Sequence, residues 1–426
     1  MKSQTLTYKI RDNVYFNVDS CSGRWNISKK PSKILDNKSL DKLNEWDNLI
    51  RTIVVNVTDS CNLNCVYCSR QCTRKTPGIM KLSLLKKILK KGAKYGILNN
   101  ICVTIQFHGG EPLIEFDNLI QAIDYLSKEE KNHLKLRIQT NGTLINEKIM
   151  KECCKRNIEV GISLDGRKIE NDISRNDATE SGTFDRIKDA LKLIKAFQKE
   201  VSCLTVVTNI NVDNLDKILE YFDELGLNNI GFLPLYEEPR TRTIKKEIVP
   251  DMKILAESQK NLFDKWIEIL KSKKNKDLNI TTFQILIWNL LASNSSTKKF
   301  RVNCGVGVNS FFVEDDGSVW GCGAFSYADE LKLGDLNKQS LEDIQRSEAY
   351  KKFQKRTTLN TKKCSDCPVQ FICRGGCVAN GFQKEGNIFE TDVWCPYWEQ
   401  IIKHIIMRID ENPKIINLIP YYNIKK

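Results

Sequence analysis

Residues 53–68 read IVVNVTDSCNLNCVYC. A β-branched run suited to a buried strand ends at Val57, and Cys61, Cys65 and Cys68 follow it at spacings of four and three. An odd set of thiols this close is not a disulfide framework, because one would stay unpaired and such near neighbours bridge only under strain. The loop therefore points to metal ligation.

Outward from this loop, short apolar runs recur at 102–107 (CVTIQF), 134–140 (LKLRIQT), 158–164 (IEVGISL), 203–209 (CLTVVTN) and 229–234 (NIGFLP). Amphipathic stretches such as LSLLKKILKKGAKYG and FDRIKDALKLIKAFQ separate them. Six strand–helix units predict an α/β fold with a parallel sheet and right-handed crossovers, a partial (β/α)6 TIM-like barrel. In barrels chemistry gathers where the strands end. HGGEPL (108–113), TNGT (140–143) and LDG (164–166) follow the second, third and fourth runs, as CNLNCVYC follows the first. Turn formation alone would explain any one of them; four in register predict a site.

The chain divides into an N-terminal extension (1–50), the barrel (51–250), a helical linker (251–303), a cysteine-rich domain (304–400) and a C-terminal tail (401–426). In the extension, YKIRDNVYFNVDSCSGRWNIS suggests two strands, which either cap the barrel bottom or form a small peptide-recognition element that docks a leader by strand addition. FFVEDDGSVWGC (311–322) reads as a β-hairpin around DDGS.

With 426 residues, 41% of them hydrophobic, the chain can build more than one core. No run approaches the ~18 apolar residues of a membrane span, and the first residues do not form a signal-peptide core. A cytoplasmic location is expected, where 16 cysteines imply metal ligation rather than disulfides. The net charge of +13 is spread along helices, as in KKILKKGAK (86–94) and KSKKNKD (271–277). With no nucleic-acid motif beside it, this charge reads as solvated faces or attraction to an acidic peptide, with neither membrane nor nucleic acid as partner.

A 4Fe-4S cube takes four thiolates, so three from one loop would leave one iron open to a substrate or cofactor. Zinc sites prefer paired C-x2-C with a fourth ligand; zinc and a ferredoxin-like electron carrier are the competing readings. C-x3-C-x2-C after the first barrel strand resembles the radical S-adenosylmethionine (SAM) enzymes. The resemblance implies that SAM chelates the open iron and is split to a 5'-deoxyadenosyl radical. It also implies SAM contacts from Gly109, Gly110, Glu111 and Pro112, with the Glu111 carboxylate and the loop backbone holding the methionine amino group. Tyr67 would pack near adenine, and Asn141 and Ser163 would line the ribose and methionine ends. NDISR (171–175) is similar to an HD-x2-R stretch whose arginine pairs with the SAM carboxylate, which gives Arg175 that role; Asn171 stands where the histidine would be.

Cys304, Cys322, Cys364, Cys367, Cys373, Cys377 and Cys395 form a second pattern, with two, five and three residues between the four from Cys364 to Cys377. It is similar to the SPASM extension of radical SAM proteins, which binds two auxiliary 4Fe-4S clusters. By that resemblance Cys364, Cys367, Cys373 and Cys395 hold one cluster, and Cys304, Cys322 and Cys377 hold the other with its fourth ligand unassigned. Cys102 and Cys203 are expected as small core residues. Cys21, Cys72, Cys153 and Cys154 carry no ligand spacing.

SPASM enzymes mostly modify ribosomally made peptides, so the expected partners are a precursor peptide or protein and a reductant such as flavodoxin or ferredoxin. The expected reaction is a Cys-to-carbon thioether crosslink. The alternative is anaerobic sulfatase maturation, which oxidises Cys or Ser to formylglycine. In that group an aspartate, proposed as general base, follows the cysteine after the hairpin; here Gly323 and Ala324 follow Cys322. No catalytic acid or base is assigned. His108 either braces the GGEP loop or ends its strand.

Overall fold

The described residues of the computed structural model are 5–19, 24–31, 48–68, 78–235, 246–272, 275–293 and 305–420. Three antiparallel strands come first, β1 (Thr5–Arg11), β2 (Val14–Asp19) and β3 (Trp25–Ser28), one more than the sequence suggested. This small sheet is fastened to helices near the other end of the chain. Arg11 pairs with Asp410 at 2.8 Å and Glu411 at 3.0 Å on helix Cys395–Glu411, and Trp25 Nε1 donates to the Leu290 carbonyl at 2.7 Å.

The six apolar runs become β4 (Thr52–Thr58), β5 (Val103–Gly109), β6 (Leu134–Thr140), β7 (Ile158–Ser163), β8 (Ser202–Val207) and β9 (Asn229–Pro234). They pair in parallel, each with the next. The sheet also runs past both ends of this set. β10 (Asn279–Ile280) joins β9, while β11 (Ser310–Val313) pairs in parallel with β4 and continues into β12 (Ser318–Trp320) and β13 (Gly334–Asp335). The DDGS hairpin is therefore stitched to the strand that carries the cysteine loop.

Parallel strands buried on both faces read as continuous apolar runs. These alternate instead. Val103, Ile105 and Phe107 of β5 are fully buried, as are Ile158, Val160 and Ile162 of β7. The intervening Gln106, Arg137, Gln139, Glu159, Gly161 and Ser202 line a cavity of about 910 Å³. The sheet thus borders a cavity lined by both polar and apolar side chains, unlike the packed core of a closed eight-stranded barrel. The outer face is covered by helices such as Leu82–Asn99, whose Leu84, Leu85, Ile88 and Leu89 form one buried stripe. Each such side chain contributes about 1.5–3 kcal/mol. Among the described residues no helix is long and apolar enough to cross a membrane.

Candidate active site

The segments that follow these strands surround a second cavity, of about 510 Å³. Cys61, Cys65 and Cys68 line one side, with Tyr67, His108, Gly109, Gly110, Asn141, Ser163 and Arg175 beside them. Leu204, Val206, Leu233, Leu235 and Phe312 form an apolar wall, and Cys322, Gly323 and Ala324 close the ring. Gln139 and Leu204 line both cavities.

The cysteine loop is held by its neighbours. Asn64 N–H donates to the Asn176 carbonyl at 2.8 Å, and Val66 N–H to the Ser174 carbonyl at 3.0 Å. Asn141 Nδ2 donates to Asn62 Oδ1 at 2.9 Å and lies 3.8 Å from Cys61 Sγ. The two glycines are required by the same loop: Gly110 N–H donates to the Thr58 carbonyl at 2.7 Å, and Glu111 N–H to the Ser60 carbonyl at 2.8 Å. A Cβ on Gly110 would fall 2.1 Å from the Ser60 oxygen, and one on Gly109, at φ +143, 2.3 Å from the Thr58 oxygen. Gly110→Ala is expected to lower the unfolding free energy by about 1–3 kcal/mol through this overpacking, and to cut SAM cleavage with it; denaturant titration and 5'-deoxyadenosine assay on the same preparation check both.

Glu111 follows these glycines directly. Its carboxylate is fully buried and accepts from Leu113 N–H at 3.0 Å, Thr140 Oγ1 at 2.7 Å and Asn141 N–H at 2.7 Å. Neither Glu111 nor Pro112 lines the cavity. Glu111 joins the loops after β5 and β6, and burial lifts its pKa above the ordinary carboxylate range against the pull of those hydrogen bonds. His108 accepts from Gly109 N–H through Nδ1 at 2.8 Å, so it braces the glycine loop while facing the cavity.

Beneath the cysteine loop lies a buried charge network. Arg175 Nη1 donates to the Tyr67 hydroxyl at 2.5 Å, the hydroxyl donates to Asp165, and Arg175 reaches Asp165 at 3.6 Å. Asp165 also accepts from Val206 N–H at 2.9 Å, and its own N–H donates to Asn171 Oδ1 at 3.3 Å. The asparagine that departs from the HD-x2-R pattern thus supports the network. Asp165 was not singled out from the sequence, although LDG contained it. Burial pushes the Cys65 thiol up to about 12, and Arg175 opposes that shift. Arg175 Nε has no partner among the described residues. Three thiols on one wall and a buried guanidinium with an unsatisfied donor fit an iron cluster and an anionic cofactor group.

The distal cysteines Cys364, Cys367, Cys373 and Cys395 come together: burial raises all four thiols, and Cys395 adds to the rise at each of the other three. Cys377 lies beside them, its N–H donating to buried Asp392 at 2.7 Å. Cys322 faces the cavity, and Cys304 lies outside the described residues, as do Cys21 and Cys72. Cys203 and Cys153 are buried and Cys154 is exposed. Cys102, expected in the core, is exposed because β5 begins one residue later.

A model of the radical SAM superfamily matches residues 55–225, and a model of the SPASM iron-sulfur cluster-binding domain matches 304–368. The chain is 29% identical over 360 residues to a cysteine-type anaerobic sulfatase-maturating enzyme of Clostridium novyi, covering 83% of this chain and 94% of that one. Among solved structures it is similar to anSMEcpe with bound AdoMet, with a TM-score of 0.71 and 27% identity over 87% of this chain and 96% of that one. Streptococcus suis SuiB bound to the precursor peptide SuiA shares the fold at a TM-score of 0.62 and 17% identity, over 92% of this chain and 98% of that one. The thiol loop at the end of β4, the cavity it lines and these matches lead to one conclusion: the chain is a radical SAM enzyme with a SPASM extension, using S-adenosylmethionine and 4Fe-4S clusters that include auxiliary ones.

Proposed function

We propose that this enzyme oxidises a cysteine side chain of a protein substrate to formylglycine, as an anaerobic sulfatase-maturating enzyme. The observation that carries the reading is the match to such an enzyme across 94% of its length. Cys61, Cys65 and Cys68 would hold the SAM-binding cluster, and Arg175 and the loop backbone at Gly109 and Gly110 would orient the cofactor. Once bound, the cluster and SAM supply the radical that removes a hydrogen atom from the substrate carbon. The apolar wall from Leu204 to Phe312 would keep water from that radical. The substrate thiol must then lose a proton and an electron before water replaces sulfur and hydrogen sulfide leaves.

Gly323 bears on that proton. The described residues lining the cavity include no carboxylate, and a side chain at Gly323 would meet the Phe312 ring 3.2 Å from its Cβ. A cysteine thiol, with a pKa of about 8.5, releases its proton without a strong base; a serine hydroxyl is a far weaker acid. The absent carboxylate, with His108 Nδ1 already accepting from Gly109 N–H, therefore favours cysteine over serine as the target. The thioether crosslink drew on the same glycine, but Gly323 speaks to how the proton leaves and not to which product forms. The extent of the match weighs toward formylglycine. Cys364, Cys367, Cys373 and Cys395 would hold one auxiliary cluster and Cys304, Cys322 and Cys377 the other, and these clusters would accept the electron. A flavodoxin or ferredoxin in the cytoplasm would supply reducing equivalents.

The test is anaerobic incubation with SAM, dithionite and a cysteine-bearing sulfatase peptide or its serine twin. The cysteine peptide should gain an aldehyde, and the serine peptide should react at least about tenfold more slowly, a barrier difference of about 1.4 kcal/mol. A product that has lost hydrogen alone and traps no hydrazide would mark a thioether and refute this reading.

A further inference from the structure

Arg356 is 1% exposed and packs against Gly375, which lies between two of the distal cysteines in sequence. Its Nε donates to the Ile388 carbonyl at 2.6 Å and its Nη2 to the Gly375 carbonyl at 3.2 Å, between Cys373 and Cys377 in sequence. Nη1 finds no partner among the described residues. A guanidinium is a permanent cation with its donors in a rigid fork, and burying it beside carbonyls alone leaves its charge unbalanced. The distal thiols, of which Cys364 feels its charge, would supply what is missing, because a cube ligated by four thiolates is anionic and becomes more so on reduction.

Other charges face the same thiols. Asp392, which is buried, accepts from Cys377 N–H at 2.7 Å and from Trp398 Nε1 at 2.9 Å. Glu399 and Lys363 also act on Cys395, but both are exposed, where solvent weakens their field. Arg356 is the buried cation of the group, and it opposes the burial that raises the Cys364 thiol.

We propose that Arg356 is a positioning residue for electron transfer: its fixed charge stabilises the reduced form of the cluster held by Cys364, Cys367, Cys373 and Cys395, and so raises that cluster's reduction potential. Reduction adds one electron to the cluster and no proton, so a cation that cannot leave acts directly on the midpoint. The inference rests on the auxiliary clusters of the reading above, and it does not depend on which substrate is oxidised.

The experiment is a dithionite titration followed by electron paramagnetic resonance on the reconstituted full chain. The same chain with Cys61, Cys65 and Cys68 replaced by alanine removes the signal of the SAM-binding cluster. Arg356→Gln keeps a donor and loses the charge; Arg356→Lys keeps the charge. One signal should shift at least tenfold toward the oxidised form in Arg356→Gln, about 59 mV for a one-electron couple, with iron content unchanged, and Arg356→Lys should restore it. An unshifted midpoint in Arg356→Gln overturns the proposal. Loss of iron from that variant overturns it too, because Arg356 would then serve assembly rather than potential. If the unaltered chain holds no auxiliary cluster, the underlying reading fails instead, and iron analysis before the titration separates the two.

Discussion

Replacing Cys61, Cys65 and Cys68 together by alanine abolishes release of 5'-deoxyadenosine, while iron falls only from about twelve to about eight atoms per chain. The two readouts differ because the three thiols of this loop line a cavity that Cys364, Cys367, Cys373 and Cys395 do not line. No other described cysteine besides Cys322 lines that cavity. With the loop ligands gone, nothing there can hold iron against the chelating end of SAM. Turnover that survives at even a few per cent, measured by chromatography of the nucleoside, would mean that the loop is not the radical source. Iron falling to zero would mean that the distal set does not assemble alone.

The second large effect is on stability. Asp165→Asn leaves Arg175 buried without its anion, and breaking such a pair by removing one partner costs about 3–5 kcal/mol. Arg175 keeps only the Tyr67 hydroxyl at 2.5 Å, and the amide leaves a single acceptor oxygen for two donors, the Tyr67 hydroxyl and Val206 N–H. The expected result is a lower denaturation midpoint for the apo chain. Adding Arg175→Met should recover most of the loss, since replacing both members of a buried pair by apolar groups is often neutral. Equal midpoints for the parent chain and Asp165→Asn would show that the network carries no net stabilisation.

The β-branched runs announced the six barrel strands because each is long enough to bury its own helix-facing side. β10 escaped notice for the opposite reason, since two residues carry no period; β11 was legible as a hairpin arm, but not its pairing with β4, which lies far away in sequence. Spacing alone announced the cysteines, since a cluster ligand must be a thiol wherever the chain places it. The network around Asp165 was harder to read. Asn171 looked like a departure from pattern, and only the fold shows it donating and accepting beside Asp165, Asp172 and Thr183. Glu111 was legible as important, but its bonds to Leu113, Thr140 and Asn141 were not, because a carboxylate that braces two loops and one that grips a ligand look alike in sequence. Arg356 has no sequence signal; its meaning comes from burial.

The pairing of β11 with β4 bears on synthesis. The strand that presents the metal-binding loop is among the first to leave the ribosome, yet its outer edge stays open until a stretch some 250 residues downstream emerges to cover it. An uncovered edge invites mispairing with other chains. A nascent chain should therefore need a chaperone's shelter through most of translation, and metal should be loaded after release rather than during elongation.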